Sequence, residues 1–102
     1  MPTCKHEPLL IFAQLDISKA DMALFDAYET QALALLGNYG GQLLERLRSV
    51  DAQSEVHLLS FPDANAFDAF RADPARIRLQ ELWVRCGASS GIMEVRRFPQ
   101  HG

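Results

Sequence analysis

His57 is the residue whose type and setting point most directly to chemistry. It lies among the apolar residues of a predicted strand, Glu55 to Phe61, and an imidazole that titrates near neutral pH can act as a general base. Tyr28, on a predicted helix, carries a phenol that can donate a proton or orient a ligand. We therefore predict catalytic roles for both. The alternative is that His57 is a core or interface histidine satisfied by one hydrogen bond, and that Tyr28 packs its ring at the helix surface.

Three further residues are candidates for binding a ligand. The phenol of Tyr39 could orient a ligand, the guanidinium of Arg46 could clamp a carboxylate or phosphate, and the indole of Trp83 could form an aromatic wall. Each has a structural alternative. Tyr39 could support a turn, Arg46 could pair across strands with an acid such as Glu55, and Trp83 could be core.

Metal and cofactor sites have little support in the sequence. The histidines His6, His57 and His101 are scattered, and no His-x-x-x-His or Cys-x-x-Cys spacing appears. The Gly40-Gly41 pair opens a predicted strand rather than a helix, so it lacks the helix N-terminus that phosphate sites use. We expect no metal and no cofactor.

Composition limits the class of protein. The chain has 102 residues, 48% of them hydrophobic, and a net charge of -3, which suits one globular domain with an ordered core from about residue 8 to 98. The arginines alternate with acids, so no nucleic-acid partner is expected. There is no basic segment followed by an apolar stretch, and no apolar run of the ~20 residues needed to span a bilayer. We expect a cytoplasmic protein with reduced thiols at Cys4 and Cys86 and no membrane partner.

Hydrophobic patterning predicts the order β-α-β-β-α-β. The first strand, Pro8 to Leu15, is apolar on both faces and should be central. The other predicted elements are a helix capped by Ser18 and stopped at Gly37-Asn38, strands Gln42 to Arg48 and Glu55 to Phe61, a short helix capped by Asp63, a helix from Asp73-Pro74 to Cys86, a connection from Gly87 to Gly91, and a strand from Ile92 to Phe98. This order is the ferredoxin-like α+β plan, an antiparallel four-stranded sheet with helices on one face. Its other face is apolar and must be covered, which a second copy can do.

Several of these residues carry a family resemblance. They are Tyr28, Tyr39-Gly40-Gly41, Arg46, Phe61-Pro62 followed by Ala66 and Phe70, and Asp73-Pro74. In these positions the chain, from about Leu9 to Phe98, resembles a family of small bacterial proteins of uncharacterised function. That family belongs to the dimeric α+β barrel superfamily, alongside the antibiotic-biosynthesis monooxygenases. The resemblance implies a homodimer of face-to-face sheets, with ligands bound between the helices and the sheet of each subunit.

The chain also departs from the family it resembles. Such relatives often carry a tyrosine where this chain has Arg76, and an arginine where it has Trp83. Two functions stay open at this point. One is a small cytoplasmic homodimer that binds or transforms a small organic molecule, with His57 and Tyr28 catalytic. The other is a non-catalytic dimeric binding or assembly module.

Overall fold

The computed structural model describes residues 7–99. Its elements in chain order are β1 (Leu9–Asp16), α1 (Met22–Leu33), a 3-10 turn (Leu36–Tyr39), β2 (Gln42–Arg48), β3 (Ser54–Phe61), α2 (Ala64–Arg71), α3 (Pro74–Arg78), α4 (Gln80–Cys86) and β4 (Ser89–Val95). The sheet has four strands in the order β2-β3-β1-β4, and every neighbouring pair is antiparallel. The helices pack on one face of this sheet. The predicted ferredoxin-like α+β fold is confirmed, with β1 in a central position.

Strand register decides which side chains face the helices. Ala13 of β1 lies opposite His57 of β3 and Ile92 of β4. Since side chains alternate along a strand, Glu55, His57 and Leu59 all project to the helix side. His57 therefore lies between the sheet and the helices and not on the open face.

The core of the described chain has two clusters of buried side chains. One surrounds Phe61 and Phe70 beneath α2 and the 3-10 turn. The other surrounds Phe25 and Cys86 beneath α1 and α4. β1 crosses both, because Ile11 belongs to the first cluster and Ala13 to the second.

The first helix begins later than predicted. Ser18 is not its cap, because the Ser18 backbone N–H and hydroxyl both donate to Oδ1 of Asp16, at 2.9 and 2.7 Å. Asp21 caps the helix instead, accepting from the backbone N–H of Leu24 at 3.2 Å. A carboxylate two residues before Ser18 gave its hydroxyl a local partner that competed with the helix.

The first helix also ends earlier than Gly37-Asn38. α1 stops at Leu33 and the chain continues as the 3-10 turn. Gly40, with φ of 69°, closes that turn in the left-handed conformation, and the backbone N–H of Gly41 donates to the carbonyl of Leu36 at 2.9 Å. The glycine that the turn requires is therefore Gly40, and the stop predicted at Gly37 is wrong.

The C-terminal half follows the predicted order with two differences. Asp63 and Asp73 cap α2 and α3 as predicted, but the helix expected to run on to Cys86 is divided at Leu79 into α3 and α4. The last strand runs from Ser89 to Val95 and not from Ile92 to Phe98, since Ser89 to Gly91 pair with the end of β1. None of the helices in residues 7–99 is long and apolar enough to cross a membrane.

Candidate functional site

A cavity of about 350 Å³ lies between the helices and the helix-facing side of the sheet. Its apolar walls include Ile11 and Leu59 from the sheet and Phe70 and Trp83 from the helices. Its polar lining includes Tyr28, Glu29, His57 and Arg76. Apolar walls with a few convergent polar groups are typical of sites for small molecules.

The carboxylate of Glu55 fixes the orientation of the His57 ring. Nε2 of His57 lies 2.6 Å from Oε2 of Glu55. The same carboxylate accepts from Nε of Arg46 and from Nε of Arg48, both at 2.8 Å. Burial alone would raise the pKa of Glu55, but the hydrogen bonds from His57, Arg46 and Arg48 hold that pKa below its ordinary value. Glu55 is thus a buried, charged anchor.

A charged carboxylate has only acceptors, so Nε2 of His57 must donate to Glu55. The second nitrogen, Nδ1, is then left with its lone pair. Burial lowers the pKa of His57 against the opposing effect of Glu55, which favours the neutral imidazole at neutral pH. Nδ1 of His57 is therefore the ring nitrogen that can accept a proton.

Glu29 faces that base. Its Oε2 lies 3.6 Å from Nδ1 of His57, and only 4% of the residue is exposed. Burial raises the pKa of Glu29 to about 7, with the charge of Arg46 opposing the rise. A carboxyl group that titrates near neutral pH beside an imidazole can exchange a proton with it or with a ligand in the cavity.

The three residues also resemble a set of metal ligands. Glu29, Glu55 and His57 offer ligand atoms that lie within 4.8 Å of one another. Both oxygens of Glu55 already accept arginine N–H groups, however, and Nε2 of His57 carries a hydrogen. The arrangement suits proton transfer better than metal ligation. The expectation of no metal stays a prediction.

Tyr28 and Trp83 line the cavity together. Their ring centroids are 5.0 Å apart and the planes are tilted by 49°. Burial raises the pKa of the Tyr28 phenol, so this group remains protonated and able to donate. The fold thus brings together three of the five residues singled out in the sequence, namely Tyr28, His57 and Trp83.

Tyr39 and Arg46 lie elsewhere. The Tyr39 hydroxyl donates to Oδ2 of Asp73, and Arg46 pairs with Glu55 and, at 3.8 Å, with Asp26. Neither belongs to the cavity lining found among residues 7–99. These contacts match their structural alternatives, support of a turn and a cross-strand ion pair, and a ligand role for either residue stays a prediction.

Glu29 and Arg76 are the residues of the site that the sequence did not reveal. In the sequence, Glu29 stands out only as the single polar residue on the apolar face of the first helix, and Arg76 only as a departure from a family pattern. A polar residue on an otherwise apolar helix face indicates a site of this kind, because a buried polar group must find a partner.

The strand order and helix placement define an α+β protein with the ferredoxin-like fold. Antibiotic-biosynthesis monooxygenase-like proteins have the same fold. Neither a protein-family model nor a curated protein matches the sequence. Solved structures of similar fold include three from bacteria. SnoaB, a cofactor-independent oxygenase from Streptomyces nogalater, has 19% identity and a TM-score of 0.67 over 90% of this chain and 97% of its own. A Bordetella bronchiseptica protein put forward as an antibiotic biosynthesis monooxygenase has 15% identity and a TM-score of 0.68 over 91% and 100%.

The third is a NIPSNAP family protein of unknown function from Agrobacterium tumefaciens. It has 16% identity and a TM-score of 0.65, covering 92% of this chain and 93% of its own. At these identities the likeness establishes a shared fold. Function has to be argued from the site itself.

Proposed function

We propose that this protein is a cytoplasmic homodimer that binds a small organic molecule in the cavity and takes a proton from it. His57 is the general base, acting through Nδ1, and Glu29 is its proton partner. Tyr28 orients the ligand through its hydroxyl, and Trp83 forms the wall against which an apolar ring lies. The observation that carries the proposal is the buried row Glu55, His57 and Glu29 in a cavity of ligand size.

The open face of the sheet supports the homodimer. Register places Phe12, Leu58 and Met93 together on the side away from the helices. Met93 is 58% exposed and Leu47, on β2, is 56% exposed. A contiguous apolar sheet face of this kind is normally covered, and a second copy packed face to face would cover it. The buried thiol of Cys86 suits a reducing cytoplasm.

Proton abstraction can be tested with 2-naphthol, a flat aromatic alcohol whose absorbance changes when its hydroxyl ionises. We expect the bound naphtholate spectrum at a pH below the range in which free 2-naphthol ionises, because a base within the cavity shares the proton. His57→Gln should remove this shift. Glu81→Gln, an exposed substitution outside the cavity lining, is the control and should retain it.

The outcome separates the two functions considered for this chain. A spectral shift that survives in His57→Gln would exclude His57 as the base. No change in the fluorescence of Trp83, the single tryptophan, on adding 2-naphthol or related aromatic compounds would favour the non-catalytic assembly module.

A further inference from the structure

Arg76 is a cavity residue with an unsatisfied donor. It extends from α3 into the cavity lining, and its guanidinium carbon lies 5.1 Å from the centre of the Phe70 ring. Its Nε is buried and finds no hydrogen-bond partner among the described residues. A buried donor without an acceptor is costly, and more so when it is charged. The guanidinium is therefore short of an acceptor, and its side chain must shift to expose Nε before a ligand in the cavity can supply one.

The two arginines of β2 differ in this respect, whereas Arg71, which also lines the cavity, is exposed and lies over the Phe67 ring. Arg46 and Arg48 share the carboxylate of Glu55 and also reach Asp26. No salt bridge to Arg76 is present within residues 7–99. The charge on Glu55 is thus already matched by two arginines, while the charge on Arg76 is not matched.

Arg76 is close enough to the site to act on it. Burial raises the pKa values of both Tyr28 and Glu29, and the positive charge of Arg76 opposes the rise in each. Glu29 is the one acid in the cavity lining found among residues 7–99, and it is largely protonated below pH 7. A negatively charged ligand would therefore meet an unpaired cation and a carboxyl group that is partly neutral.

We infer that the ligand is an organic carboxylate with a flat apolar body, whose carboxylate binds the guanidinium of Arg76 while the body lies against Trp83 and Phe70. The Nε edge of a guanidinium presents two parallel N–H groups that match the two oxygens of a carboxylate. Aromatic walls on the adjacent helices supply the apolar contact. This inference rests on the proposed small-molecule function and specifies its substrate class.

The test compares 3-phenylpropanoate with 3-phenylpropanamide, which have nearly the same shape and differ in charge. Trp83 gives a single indole signal in a proton–nitrogen NMR spectrum, so its shift measures occupancy of the cavity. We expect the wild-type chain to bind the acid about ten- to a hundred-fold more tightly than the amide, the range for a charge-assisted pair. Raised salt should reduce this preference.

Arg76→Gln should remove the preference by weakening binding of the acid while changing binding of the amide less than about two-fold. Arg78→Gln is the matched control, because Arg78 is an exposed arginine on the same short helix. It should retain the preference. If Arg76 has only a structural role in stacking on Phe70, Arg76→Gln would lower thermal stability but leave the ratio of the two affinities unchanged.

Two results would overturn the inference, and they can be told apart. Equal binding of acid and amide by the wild-type chain, or a preference that persists in Arg76→Gln, would overturn the carboxylate inference and leave the proposed small-molecule function standing. No shift of the Trp83 signal with either compound at millimolar concentration would overturn both.

Discussion

Glu29 and Glu55 are buried carboxyl groups on opposite sides of one imidazole, and their surroundings move their pKa values in opposite directions. Glu55 has His57 and two arginines as donors, and its pKa is lowered. Glu29 has mainly burial acting on it, and its pKa is raised to about 7. Pairs of titratable groups separated in this way are typical of sites that transfer protons.

The raised pKa of Glu29 predicts a pH-dependent cost to stability. Between pH 4.5 and about 7 the folded chain holds a proton on Glu29 that the unfolded chain releases. The free energy of unfolding therefore falls as pH rises through this window, and the cost is complete above it. Glu29→Gln should be more stable than wild type above pH 7, by at most about 3 kcal/mol, and equal to it near pH 4.

Urea unfolding at a series of pH values measures this difference. Glu81→Gln, at an exposed position on α4, is the matched control and should show no such window. A Glu29→Gln variant that is less stable than wild type at pH 8 would show that Glu29 is held as a paired carboxylate, contrary to the geometry described.

The sequence identified single residues of the site more readily than their partners. His57, Tyr28 and Trp83 were recognisable by residue type. The sequence predicts Glu55 only as a partner for Arg46, although its carboxylate also bonds to His57. The contact between His57 and Glu29 depends on how α1 lies over β3, and spacing along the chain does not encode that placement.

Among the elements, the turn between α1 and β2 is constrained at Gly40. Gly40 has φ of 69°, and a Cβ there would lie 2.8 Å from Cγ of Pro62. A side chain at this position would meet both backbone strain and a steric clash. Tyr39, immediately before it, donates to the Asp73 cap of α3. The turn thus supports the helix from which Arg76 extends.

Gly40→Ala should therefore lower the free energy of unfolding by about 2 kcal/mol, the combined cost of left-handed geometry and the clash. Gly37→Ala is the matched control, because Gly37 lies in the same 3-10 turn, has no positive φ, and a Cβ there would meet nothing within 4 Å. It should be neutral or slightly stabilising. Chemical denaturation of both variants decides the point, and equal stabilities would refute this account of the turn.

Element order and strand pairing were predictable because apolar runs, caps and turn residues agree with one another. The predictions that are wrong concern positions where two hydrogen-bonding partners compete for the same residue. Ser18 donates its hydrogen bonds to Asp16 and therefore does not cap α1. Ser89 to Gly91 have the composition of a loop, yet they form the start of β4 because β1 offers them hydrogen bonds. Pairing to a central strand outweighed intrinsic preference there.

For the molecule as a whole, the proposed homodimer predicts the behaviour of a charge placed on the open sheet face. Met93→Glu puts a carboxylate where apolar side chains of two copies would meet, and burying an unpaired charge is costly. We expect the dimer to dissociate at least about ten-fold more readily. Val84→Glu, on the exposed side of α4 at 67% exposure, is the matched control and should remain dimeric. Native mass spectrometry at micromolar concentration measures both, and a monomeric wild type would contradict the homodimer.

The cavity also separates the two clusters of the core. Ile11 and Phe70 line it from one cluster, and Ala13 and Trp83 line it from the other. A molecule bound there would contact both clusters and link them. Amide hydrogen exchange should therefore slow in α2 and in α4 together when the cavity is filled, and the two regions should then open as one cooperative unit.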